Sequence, residues 1–108
     1  MNDAALLALL DSTLRQIQSL TPADKAAWDS DEVRRLAIER LWTVAGNLAE
    51  AYRRAVELPS GVDPWAALYG FRSVLAHALP GDIASDRVWH ETVVDLPRLL
   101  QQVQSATP

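Results

Sequence analysis

Apolar residues recur three and four apart along the whole chain and nowhere alternate, so the core has to be built from helices. Leu6, Leu10, Leu14 and Ile17 fall at spacings of four, four and three, on one helical stripe. The densest β-branched cluster, Thr92, Val93 and Val94, lies inside a helical pattern and gives no strand.

Start and stop signals divide this pattern. The first helix is expected over about residues 2–19. Thr21-Pro22-Ala23-Asp24 reads as a helix start: threonine caps, proline suits the first helical position, and the carboxylate meets the positive end of the dipole. A short turn to Trp28 follows. Asp29-Ser30-Asp31-Glu32 opens a long helix whose face Val33, Ala37, Leu41, Val44, Leu48, Tyr52 and Ala55 runs to about Leu58, where Pro59-Ser60-Gly61 stops it. Gly46 lowers helix propensity there by about 1 kcal/mol relative to alanine, and close approach of another helix is the simplest reason for it. Asp63-Pro64 repeats the cap-then-proline start, and a third helix runs to about His77, before Leu79-Pro80-Gly81. Ser85-Asp86 caps a fourth, to about Val103, which Pro97 should bend near residues 93–96. Short connections at 59–63 and 78–85 then give an all-α, antiparallel up-and-down four-helix bundle: one domain over residues 1–104 with a loose tail at 105–108. Trp28, Trp42, Trp65 and Trp89 read as core or interface wedges.

Composition narrows the chemistry. A chain of 108 residues is the size of one domain. It has no cysteine, which excludes disulfides, cysteine-ligated metals and thiol catalysis. Its 10 basic and 14 acidic residues give a net charge of −4, against a binder that covers nucleic acid with its whole surface. A small basic site on an acidic body is still compatible. Lys25 is the single lysine, so every other cation is an arginine, the residue suited to forked phosphate contacts. The longest apolar run, residues 4–10, is far short of a membrane span and has no basic leader before it. A cytoplasmic domain without a membrane partner is the expectation.

The chemistry-bearing residues gather most densely at Arg72-Ser73-Val74-Leu75-Ala76-His77. Arginine holds a phosphate by two parallel bonds, and histidine moves protons near neutrality. On an ideal helix five residues turn about 500°, so Arg72 and His77 point about 140° apart, with about 7.5 Å of rise between them. Ser73 and His77, four apart, do share a face, and Tyr69 continues that row. Arg72 and His77 converge only if the helix end unwinds or a second subunit faces it; otherwise they are a satisfied helix-end histidine and a solvated arginine. Arg34, Arg35, Arg53 and Arg54, interleaved with Glu32, Glu39, Glu50 and Glu57, read as an ion-paired face. Glu39 and Glu50 share a face, but no Glu-x-x-His partner accompanies them, so a di-iron bundle is not expected. Asp86, His90 and Glu91 are too few for a metal site and read as a surface ion pair. Neither a Gly-rich phosphate loop nor a Gly-x-Ser-x-Gly elbow is present. No metal and no cofactor are expected.

The order Val62-Asp63-Pro64-Trp65, Gly70-Phe71-Arg72, Leu75-Ala76-His77, Val88-Trp89 and Asp95-Leu96-Pro97-Arg98-Leu99-Leu100 resembles the HepT-like family of the HEPN superfamily. Ala37-Ile38-Glu39-Arg40 and Gly46 also fit that family's long helix, and the resemblance spans about residues 6–103. It implies a helical bundle that dimerises about a two-fold axis, with clefts built from both subunits. It also implies a metal-independent ribonuclease, commonly the toxin half of a toxin–antitoxin pair whose partner is a small nucleotidyltransferase. Arg72 and His77 stand at the family's motif positions, with His77 as general base toward the RNA 2′-hydroxyl and Arg72 on the phosphate. Ser73 replaces a frequent asparagine and is expected to support His77 through its hydroxyl. Leu79 replaces a tyrosine that the partner modifies with AMP in family members. Leucine cannot accept AMP, which leaves control by physical masking or a copy that has moved away from the active type. A second reading is a non-catalytic helical partner that shapes a nucleotidyltransferase's substrate site; retention of both Arg72 and His77 separates the two.

Overall fold

The computed structural model describes residues 1–78 and 84–106, and all regular structure among them is helical. The elements are α1 (Asp3–Leu20), α2 (Lys25–Ser30), α3 (Glu32–Ala55), α4 (Trp65–His77), α5 (Ser85–His90), a wide π-helical turn (Glu91–Asp95) and α6 (Leu96–Gln104). The last three run on without a break. The expected four-helix pattern therefore stands, with one short helix, α2, added where a turn was expected. The body measures 41 × 27 × 21 Å. The long helix α3 is its spine, packed on one side against α1 and on the other against α4, while α6 closes against α1.

The caps follow local chemistry, but not always at the expected residue. Asn2 caps α1 by accepting from the Ala5 amide at 2.8 Å. Thr21 does not start α2. Its hydroxyl donates back to the Ile17 carbonyl at 2.8 Å and closes α1 instead. Asp24 caps α2, accepting from the Ala27 amide at 2.8 Å, and Asp31 caps α3 through the Arg34 amide. An aspartate can accept from a freed helix amide without giving up a proton of its own, so it takes the cap from the threonine. The long helix stops at Ala55, short of Leu58. Glu57 takes a left-handed φ of 59° there, and the Leu58 amide bonds the Arg53 carbonyl at 3.0 Å while the Glu57 amide bonds Arg54. This is a Schellman closure, with glutamate at the position glycine usually fills.

The buried face of α3 differs from the expected one. Ile38, Trp42, Ala45, Ala49 and Tyr52 form the core stripe, while Val33 is 79% exposed and Ala37 and Ala55 lie at the surface. The two stripes are neighbours: Tyr52 belongs to both, and Leu41 and Leu48 are half-buried against the same core, so the helix is turned to put Ile38 and the large Trp42 indole innermost. Leu10, Leu14, Ile17, Leu68, Phe71, Leu96, Leu99 and Val103 complete the core. Trp28, Trp42 and Trp65 are buried and Trp89 is half-buried, as wedges should be. Trp28 tilts against Trp89, with ring centres 5.3 Å apart.

Pro97 produces the wide turn. Inside an α-helix its ring would press on the carbonyl of Val93, and it has no amide to bond there. The backbone widens instead, and the Leu96 amide reaches the Glu91 carbonyl five residues back. The turn also corrects a drift. Val88, Thr92, Leu96 and Leu100 follow at three successive spacings of four, which on an ideal helix would rotate them by about 120°. All four are nevertheless buried.

The same turn brings two carboxyls together. The Glu91 carboxyl is pushed up to about 7, first by burial, then by the hydrogen bond and charge of Asp95, with Arg87 and Arg98 opposing. In the unfolded chain a glutamate titrates near 4.3. The folded state thus favours the protonated acid, and its stabilising contribution is complete below about pH 4 and lost as the pH rises through 7. We expect this group to lower unfolding free energy by roughly 1–3 kcal/mol between about pH 5 and pH 8. Glu91→Gln should remove that slope in urea titrations at a series of pH values; an unchanged slope would refute the assignment.

Candidate active site

Gly46 is where α4 is brought against α3. A methyl group at this position would collide with the Cβ of Arg72 and come within 2.7 Å of the Leu68 carbonyl oxygen. Only a residue without a side chain lets the backbone of α4 come so close. The approach puts Arg72 beside the next residue on α3: its Nε donates to Asn47 Oδ1 at 2.7 Å. Arginine has no acceptor, so the asparagine must present its oxygen there and turn its NH2 the other way. The Arg72 guanidinium also stands 5.7 Å from the centre of the Tyr69 ring. Its terminal nitrogens have no partner among the described residues and are available for an anion.

His77 ends α4 and is exposed. Its Nδ1 lies 2.8 Å from the Ser73 carbonyl oxygen. A carbonyl only accepts, so Nδ1 carries the proton of the neutral ring and Nε2 is left with its lone pair. Ser73 therefore holds the histidine through its main chain. Its hydroxyl, expected to do so, donates instead to the Tyr69 carbonyl at 3.0 Å. The row Tyr69, Ser73, His77 is thus joined in steps of four. α4 stays regular to its end, where the Ala78 amide still bonds the Val74 carbonyl at 3.2 Å. The helix does not unwind between Arg72 and His77 to let the two side chains converge. A further cation, Arg87 of α5, stands 5.9 Å from the ring centre of Phe71, the residue before Arg72.

The charged face of α3 is ion-paired only in part: Arg53 and Arg54 share Glu50, while Arg34 pairs with Asp31 and Arg35 donates to the Trp28 and Asp29 carbonyls instead of to a glutamate. Arg53 binds Glu50 through two nitrogens at 2.7 and 2.9 Å, and Arg54 Nε binds it at 3.0 Å. These bonds, Arg53 first, hold the Glu50 carboxyl down at about 2 against the opposing effect of burial. Glu39, on the same side of the helix, is pushed up by burial, with Arg35 pulling the other way. Asp86 pairs with Lys25 at 2.6 Å, not with His90 as the sequence had led us to expect. Among the described residues no three histidine, aspartate or glutamate side chains gather in a way that could hold a metal ion. No described helix is long and apolar enough to cross a membrane.

Asn47 was not legible as a site residue in the sequence. Its signal was indirect: Gly46 marks the close approach, and a polar neighbour on that turn is within reach of whatever approaches. Leu79, the position of the expected modifiable tyrosine, lies outside the described residues.

No curated protein and no solved structure is similar enough to count as a match. The family model described as "Ribonuclease HepT-like" matches residues 10–106, which takes in α3, α4 and the last helix, with Arg72, His77 and Asn47 among them. With nearly the whole chain matched, the protein belongs to the HepT-like ribonuclease family.

Proposed function

We propose that the chain is a ribonuclease that cleaves RNA by attack of its own 2′-hydroxyl, with Arg72 and His77 as catalytic residues. The observation that carries this reading is the paired orientation on α4: Asn47 fixes the Arg72 guanidinium, and the Ser73 carbonyl fixes the tautomer of His77. Nε2 of His77 takes the 2′-hydroxyl proton as general base. The 2′-oxygen then bonds to phosphorus, and the bond to the 5′-oxygen breaks. The imidazolium, or water, returns the proton to that leaving oxygen. Arg72 offsets the charge that grows on the phosphate oxygens. The products are a 2′,3′-cyclic phosphate and a free 5′-hydroxyl, and no metal takes part.

The regular end of α4 supports a homodimer in the same reading. The two side chains diverge on an intact helix, so a cleft that uses both is completed by a second copy across a two-fold axis. In the cell this activity fits the toxin half of a pair with a small nucleotidyltransferase, acting in the cytoplasm. The test is incubation of the purified chain with end-labelled RNA in the presence of EDTA. Cyclic phosphate ends are the expected result; 5′-phosphate ends, or no cleavage, would refute the mechanism.

A further inference from the structure

Next to Arg72 lies an open groove of about 360 Å³ lined by Asn47, Glu50, Ala51, Arg54 and Tyr69. The four α3 residues follow at i, i+3, i+4 and i+7, so they form one face of that helix. Alanine in the middle leaves the space, and Tyr69 of α4 forms the opposite wall. Tyr69 is 36% exposed, unusual for a ring in a domain that buries or half-buries all four tryptophans. Its ring is not part of the core; Arg72 stands 5.7 Å from its centre, and the aromatic surface that remains exposed is open to a further partner.

The polar groups in the groove have fixed roles. The Asn47 oxygen is committed to Arg72 Nε, so its NH2 is the group left to donate. Glu50 is ionised and can only accept, and its charge is more than balanced by Arg53 and Arg54. The groove thus offers a flat aromatic face, one donor and one acceptor without net negative charge, beside an arginine with free terminal nitrogens. Those are the requirements of a nucleobase attached to a phosphate. We propose that this groove binds the base adjoining the phosphate held by Arg72, with the base stacked on Tyr69 and its edge read by Asn47 and Glu50. The assignment deepens the ribonuclease reading and rests on it for the identity of the phosphate. Every base has a flat face to stack on Tyr69 and at least one N–H that the Glu50 carboxylate can accept from, so the groove takes a base without selecting one by this contact.

The test separates stacking from cleavage. A single-stranded 2′-deoxy oligonucleotide containing 2-aminopurine lacks the nucleophile and cannot be cut, so its fluorescence quenching reports binding alone. The full-length chain should quench it, and Tyr69→Phe should bind equally well. Tyr69→Leu should weaken binding roughly 5- to 100-fold, the range that loss of one stacked base gives. Tyr69 is a surface residue, so these variants should melt with the parent chain. Cleavage of oligonucleotides with a single ribonucleotide should be about tenfold slower when the neighbouring position is abasic, because the stacked base is then missing. Tyr69→Leu binding at the parent affinity would overturn the groove assignment whatever the cleavage result. Absence of cleavage together with intact, Tyr69-dependent quenching would overturn the ribonuclease reading and leave the groove as a nucleotide site.

Discussion

His77→Ala should lower the rate of RNA cleavage by roughly 10²- to 10⁴-fold, the usual contribution of a positioned general base. The side chain is exposed and its one recorded bond is to the Ser73 carbonyl, so the fold should not change. Binding of an uncleavable RNA should also survive, because the imidazole is used to move a proton and not to hold the phosphate. Arg72→Ala should differ in kind. It removes the cation that faces the phosphate, so KM should rise along with a loss in kcat of about 10²- to 10³-fold. Asn47→Ala leaves the guanidinium in place without its anchor at 2.7 Å, and a smaller loss, about tenfold, is expected. Single-turnover kinetics on a defined RNA would measure all three, and expression in growing cells would show whether arrest follows the same order. A His77→Ala chain that cuts RNA at the parent rate would remove the histidine from the chemistry.

The largest expected loss of stability is at Trp42. The residue is fully buried, edge-on to Phe71 with ring centres 5.3 Å apart. Its indole N–H donates to the Thr92 hydroxyl at 3.0 Å, and that hydroxyl donates to the Val88 carbonyl at 2.7 Å. One side chain therefore joins α3, α4 and the last helix. Trp42→Ala leaves a large cavity and an acceptor without its donor, at a cost of about 3–5 kcal/mol. For a domain of this size that is a fall in Tm of roughly 15–30 °C, readable by calorimetry. Trp42→Phe keeps most of the volume and should cost much less. A fall of only a few degrees for Trp42→Ala would mean that the cavity collapses without consequence.

The parts of the fold that could be read from the sequence are those governed by local chemistry. Asp63-Pro64 and Ser85 stand at the beginnings of α4 and α5, and Pro97 marks the disturbed stretch of the last helix. Ser85 does not cap α5 as expected, because it is the helix's first residue after Ala84 and its hydroxyl accepts from the Trp28 indole N–H at 2.8 Å. His77 was placed at a helix end, where it is found. What was not legible depends on choices between equivalent patterns. Val33, Ala37 and Leu41 have the same period as Ile38, Trp42 and Ala45, and only tertiary packing decides which set lies innermost. Thr21 and Asp24 are both good caps, and the competing bond from Thr21 to Ile17 settles which of them acts as one. The site divides in the same way. Arg72 and His77 stand out by residue type and spacing. Asn47 enters only because Gly46 lets two backbones approach, a three-dimensional fact that sequence hints at and does not locate.

The wide turn at Glu91–Asp95 separates two fitting problems that a plain helix would tie together. It holds one residue more than an α-helical turn needs, so everything before it is rotated by about 100° relative to everything after it. The part after it, α6, is fitted to α1 and closes the bundle. The part before it, α5, is fitted to α2, where Trp89 meets Trp28 and Asp86 meets Lys25. One continuous helix thus meets two partners that need different phases: the extra residue gives α6 the face that α1 requires and gives α5 the face that α2 requires, which carries Arg87 toward Phe71 of α4.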